Sequence, residues 1–96
     1  MTIPRHGQSP ILTRPEAETL ALSALGWVLG DADRAERLLA LTGLTPEQMR
    51  ASLTDPAMLS AVLEFLGRYE PDLVKAAEAL QIAPETLIAA QEILSR

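Results

Sequence analysis

The chain contains no cysteine, which excludes disulfides and thiolate metal sites and suits a reducing, cytoplasmic location. Aromatic residues are almost as scarce: one Trp, one Tyr and one Phe in 96 residues. The core must therefore be assembled from Leu, Ala, Val, Ile and Met, which suits helices packed closely on helices. A single histidine, His6, lies in a stretch without periodicity, where it has no fixed partner to orient it as a general base. There is no glycine-rich phosphate loop and no Ser set beside His and Asp in a nucleophile motif. A long apolar run is missing too. The longest uncharged stretch, Thr19 to Gly30, is twelve residues, against the roughly 20 that a membrane span needs. Glu16 and Glu18 directly precede it, where a signal peptide would carry positive charge.

Positive charge is in deficit. Eight Lys and Arg stand against thirteen Asp and Glu, a formal charge of −5, and the basic residues are scattered along the chain. Phosphate neutralisation supplies most non-specific affinity for nucleic acid, so this balance disfavours DNA as a partner.

What is present is helix punctuation. Residues 1–12 hold Pro4, Gly7, Ser9 and Pro10 and read as a flexible tail, leaving one domain over 13–96. Thr13-Arg14-Pro15-Glu16 has the form of a capping box, in which a hydroxyl and a carboxylate satisfy each other's backbone amides. Thr45-Pro46-Glu47-Gln48 repeats the plan, with Pro at the first helical position, where its missing N–H costs nothing. Asp55-Pro56, Glu70-Pro71-Asp72 and Ala83-Pro84-Glu85 follow it. No segment alternates apolar and polar residues long enough for a strand. The reading is an all-α, compact bundle of about six short helices, over 14–29, 32–42, 46–53, 56–69, 71–81 and 84–95.

Gly30 and Gly43 stand where helices end in a left-handed residue. The fourth helix shows the clearest stripe: Met58, Ala61, Val62, Phe65, Leu66 and Tyr69. The first helix carries Leu20, Leu22, Leu25, Trp27, Val28 and Leu29 on all sides, which marks it as the central helix or one covered by another copy.

Three constellations invite a chemical reading, and each has a plainer one. Leu73, Ala76, Ala77, Leu80, Ile82, Thr86, Leu87 and Ala90 form the apolar skeleton of a helix-turn-helix. Reading base edges takes Arg, Lys, Asn or Gln, whereas Pro84 to Ser95 offers Glu85, Thr86, Gln91 and Glu92. A packing corner is the better account. Asp31, Asp33 and Glu36 lack the central Gly and twelfth-position Glu of a calcium loop, and Asp31 reads as a helix cap. Gly26 and Gly30, four apart, allow a close helix crossing. Beside them, Trp27 reads as a core residue or as an interface anchor.

The runs Ala24-Leu25-Gly26-Trp27-Val28-Leu29, Arg37-Leu38-Leu39-Ala40-Leu41-Thr42-Gly43-Leu44-Thr45-Pro46 and Asp55-Pro56-Ala57-Met58-Leu59-Ser60-Ala61-Val62-Leu63-Glu64-Phe65-Leu66 carry a resemblance. Together they resemble a small alphaproteobacterial family of all-helical domains of unknown function, over about residues 16–94. The resemblance implies a bacterial cytosolic protein and brings no catalytic or binding residues with it.

The functional expectation is a protein-interaction module without catalytic activity, cofactor or metal. It would be a homodimer or an adaptor that receives a partner helix in a groove. The surface expected to carry this is Trp27 with a second apolar stripe of the fourth helix, Leu59, Leu63 and Leu66. The alternative is a nucleic-acid-associated regulator using the last two helices.

Overall fold

Residues 12–96 are described by a computed structural model of the chain; of the tail expected over residues 1–12, residues 1–11 lie outside the described residues, while Leu12 is half-buried against the core. They form six helices: α1 Arg14–Leu29, α2 Ala32–Thr42, α3 Pro46–Ala51, α4 Pro56–Gly67, α5 Glu70–Leu80 and α6 Pro84–Leu94. No strand occurs among the described residues.

Local chemistry starts four of the six helices. At α1 the Glu16 amide donates to Thr13 Oγ1 at 3.2 Å and the Thr13 amide donates to Glu16 Oε1 at 2.9 Å, which closes the capping box. Thr45 and Gln48 make the same reciprocal pair at α3, at 3.1 and 2.9 Å. Asp31 accepts from the Arg34 amide at the start of α2, and Asp55 from the Ala57 amide at the start of α4. The N-caps of α5 and α6, Tyr69 and Ala83, make no side-chain cap bond, and each is followed by Pro in the first turn.

The helix ends are less uniform. Gly43 closes α2 at φ 74°, the left-handed conformation, whereas Gly30 stays right-handed at φ −74°. The left-handed ending expected at Gly30 is therefore absent: the turn into α2 is short, and Arg34 Nη2 donates to the Trp27 carbonyl at 3.0 Å, satisfying one of the groups a left-handed cap would have served. The second left-handed cap is Gln81, at φ 61°, whose neighbour Ile82 donates its amide to the Ala77 carbonyl at 2.9 Å.

Tertiary packing centres on α1 and α4, which touch each other and both touch α2, α5 and α6. The buried residues of α4, Met58, Leu59, Val62, Leu63, Phe65 and Leu66, cover about half of the helix circumference. Two expectations need adjusting. The central place expected for α1 agrees with its packing against four other helices, but only the face carrying Ala17, Ala21, Ala24, Leu25 and Val28 is buried. Leu22 and Leu29 of α1 stay exposed. Likewise α4 ends at Gly67, so Tyr69 leaves the apolar stripe and is exposed instead.

The helices approach through small side chains: Ala17, Ala21 and Ala24 of α1, Ala76 and Ala77 of α5 and Ala90 of α6 are all buried. Three cations then tie helices together from outside. Arg14 Nη1 donates to the Ile93 carbonyl at 3.0 Å, joining the start of α1 to the end of α6. Arg37 Nη2 meets Asp72 Oδ2 at 3.1 Å, joining α2 to α5. The Arg34 guanidinium lies 3.7 Å from the Trp27 ring centroid, in cation–π contact across the α1–α2 corner.

Two glycines predict opposite outcomes. A Cβ on Gly26, inside α1, meets nothing within 4 Å, so Gly26→Ala should raise stability by about 0.5–1 kcal/mol through helix propensity. Gly43→Ala also meets open space, yet its positive φ should cost about 1 kcal/mol. Urea denaturation followed by circular dichroism separates the two; equal shifts would refute the backbone account.

Candidate functional site

The residues expected to form a partner surface do not come together on one. Leu59, Leu63 and Leu66 are 2%, 3% and 0% exposed, so they belong to the core, and the surface expected from them is withdrawn. The physical reason is the position of α4: a second apolar stripe looks surplus on an isolated helix, but α4 has a neighbour on that side as well. Trp27 is half-buried, packed against the core on one side and covered by Arg34 on another. The Gly26-x-x-x-Gly30 pair makes no close helix crossing within the chain: Gly26 has no neighbour, and a Cβ on Gly30 would meet the Trp27 and Gly26 carbonyls of its own helix.

The α5–α6 corner forms with the skeleton in place: Leu73, Ala76, Ala77, Leu87 and Ala90 are buried and Leu80 and Ile82 half-buried. Its outward positions on α6 are Glu85, Ile88 and Glu92. Asp31 is committed to capping α2, and no group of three or more His, Cys, Asp or Glu among the described residues is placed to hold a metal. No described helix is long and apolar enough to cross a membrane.

A strongly apolar concavity lies where α1 meets the α5–α6 corner, a groove of about 440 Å³. Half-buried Leu12, Leu20, Ile82 and Thr86 form its floor, and exposed Pro15, Glu16 and Thr19 stand along its opening. A smaller groove of about 270 Å³ runs on the other flank of the α1 start, between Leu22 and Leu53, with Glu18 at its edge. Both share Pro15 and Thr19, so the first half of α1 is a ridge between two apolar furrows. Other clefts are lined in part by arginine: Arg68, paired with Glu64, in one; Arg14 and Arg96 in another; Arg37 in a third.

Two floor residues of the main groove share a local origin. Leu12 precedes the N-cap Thr13, and Ile82 precedes the N-cap Ala83. This is the position from which an apolar side chain staples back onto its helix's fourth residue. The fourth residues, Ala17 and Leu87, are both buried. A side chain just outside a helix is covered from the helix side only, which leaves half of it open. The signal was present in the sequence as an apolar residue before each cap, but nothing there says that two such residues meet.

The family of the chain is known by description. Residues 14–96 match the model of the family described as "Protein of unknown function (DUF3572)". The chain belongs to that family. No curated protein matches this family member, and no solved structure does. Within this DUF3572 domain the matched span begins at the first residue of α1 and takes in all six helices, so both walls of the main groove lie inside it, while Leu12 stands just before it.

Proposed function

We propose that this DUF3572 domain is a non-catalytic protein-interaction module whose docking surface is the groove between α1 and the α5–α6 corner. The observation that carries the proposal is that three branched apolar side chains, Leu12, Leu20 and Ile82, converge there and are half-buried among the described residues. Single exposed leucines are ordinary on any protein. A concave apolar floor with hydroxyl and carboxylate edges is what a partner's apolar side chain fits. The groove volume of about 440 Å³ accommodates a few side chains of a partner segment. With the proposal go the bacterial, alphaproteobacterial source and cytoplasmic location that the likeness of the Ala24–Leu29 and Asp55–Leu66 runs implies.

A photo-crosslinking amino acid placed at Thr19, on the groove opening, tests the reading in living cells. Adducts to a second protein are expected from position 19 and not from Lys75, an exposed position on α5 away from the groove lining. Absence of any adduct at Thr19 and at Thr86 would remove the groove as a docking surface.

A further inference from the structure

The charges around this groove specify the chemistry of what occupies it, an inference that rests on the docking reading above. None of its lining residues is a cation. Arg14, next to Pro15 in sequence, is turned away and donates to the Ile93 carbonyl at the other end of α6. Glu16 stands at the groove opening, and the exposed Glu85 precedes the floor residue Thr86.

Among the described residues the two ion pairs are Arg37–Asp72 and Glu64–Arg68, so neither Glu16 nor Glu85 has a cationic partner. Glu16 does accept the Thr13 amide through Oε1, a bond that leaves its charge in place. Glu16 stands at the opening in a first turn, where the helix dipole offsets it by about half a charge, so a net negative edge remains there. Glu85, in the first turn of α6, adds negative charge beside Thr86 without lining the groove. The chain as a whole carries −5, which adds attraction for a cation approaching from solution.

We propose that the groove receives a basic amphipathic helix of a partner protein, its apolar side chains on Leu12, Leu20 and Ile82 and its Lys or Arg residues against Glu16 and Glu85. The length fits: Leu12 to Leu20 spans about two helical turns, which presents an i, i+4, i+7 set of anchors from the partner. An acidic helix would place like charges against the same rim.

Two fluorescein-labelled synthetic peptides of about 14 residues, sharing leucines at i, i+4 and i+7, provide the test. One carries lysine and the other glutamate at the remaining positions, and fluorescence anisotropy on the full chain reads binding. The lysine peptide should bind about tenfold or more tighter than the glutamate peptide. The Glu16→Gln/Glu85→Gln double variant keeps the capping box, since Gln serves at that position, and should weaken lysine-peptide binding about fivefold. A charge-matched control, Glu78→Gln/Glu92→Gln, should leave it unchanged, and Leu20→Gln should weaken it without loss of helical circular dichroism.

Equal loss in both double variants would mean unspecific attraction to an acidic protein and overturn the site. Tighter binding of the glutamate peptide, lost in Leu20→Gln, would overturn the charge assignment and leave the docking reading standing. No binding of the lysine peptide, with crosslinks still formed at Thr19, would overturn this inference alone; failure of both experiments would end both. A dimer in sedimentation that Leu20→Gln dissolves would assign the groove to a second copy instead.

Discussion

Leu66→Ala should lower stability by about 3 kcal/mol and the melting temperature by about 15 °C. Leu66 has no exposed surface and lies on α4, which packs against four helices, so truncation removes transfer energy and leaves a cavity in the core. A domain of this size holds about 5–14 kcal/mol in total, so the variant would lose a large share of its margin. The same substitution distinguishes two pictures of α4. Were Leu66 part of a partner surface, its removal would change stability by about 0.5 kcal/mol or less, as at other exposed sites. Tyr69→Ala, at an exposed position two residues past the end of α4, supplies that comparison. Thermal denaturation by circular dichroism, with the single Trp27 as an independent fluorescence probe, measures both. Similar midpoints for the two variants would refute the buried placement.

The second large effect comes from adding volume instead of removing it. Ala21→Leu should cost about 2–3 kcal/mol. Ala17, Ala21 and Ala24 are all fully buried on one face of α1, where α6 and α4 pack closely. Three extra carbons at the middle of that face have no void to enter, so α1 must move or neighbouring side chains must leave their rotamers. Ser23→Leu, two residues on and exposed, should change stability by about 0.5 kcal/mol or less. The consequence reaches the groove, because Leu20 is adjacent to Ala21 while Ile82 and Thr86 belong to the opposite wall. Ala21→Leu is thus expected to weaken partner binding even in the fraction of molecules that remain folded. A stable Ala21→Leu protein would show that α1 and α6 are packed more loosely than described.

The helix count and most of the helix starts were legible in the sequence because they depend on interactions within four residues. Thr13 with Glu16, Thr45 with Gln48, Asp31 and Asp55 each bond the amides that their sequence positions allow, and no distant residue is needed. Ends were less legible where a distant or unusual partner decides. Gly30 is relieved of a left-handed cap by Arg34, while Gln81 takes one without being glycine, at a cost of about 1 kcal/mol. The sites fared worst. Leu59, Leu63 and Leu66 form a stripe that any amphipathic reading places on a face, and only the packing of α4 reveals that this face is covered. Leu12 falls in the expected tail and Ile82 in the helix-turn-helix skeleton, some 70 residues apart in the chain. Their convergence is a fact of topology.

The sequence by itself determined an acidic, cysteine-free, all-helical domain and where its helices begin, since caps, prolines and composition act locally or by simple sum. Tertiary structure alone decided that Leu22 and Leu29 of α1 stay exposed, that the second stripe of α4 is buried, and that a groove opens between α1 and the α5–α6 corner. Burial is a property of pairs of surfaces, and a hydrophobic face carries no mark of whether its neighbour will come from the same chain. Among the described residues the neighbours of α4 come from within the chain while the groove stays uncovered, and a basic helix is the occupant we propose for it.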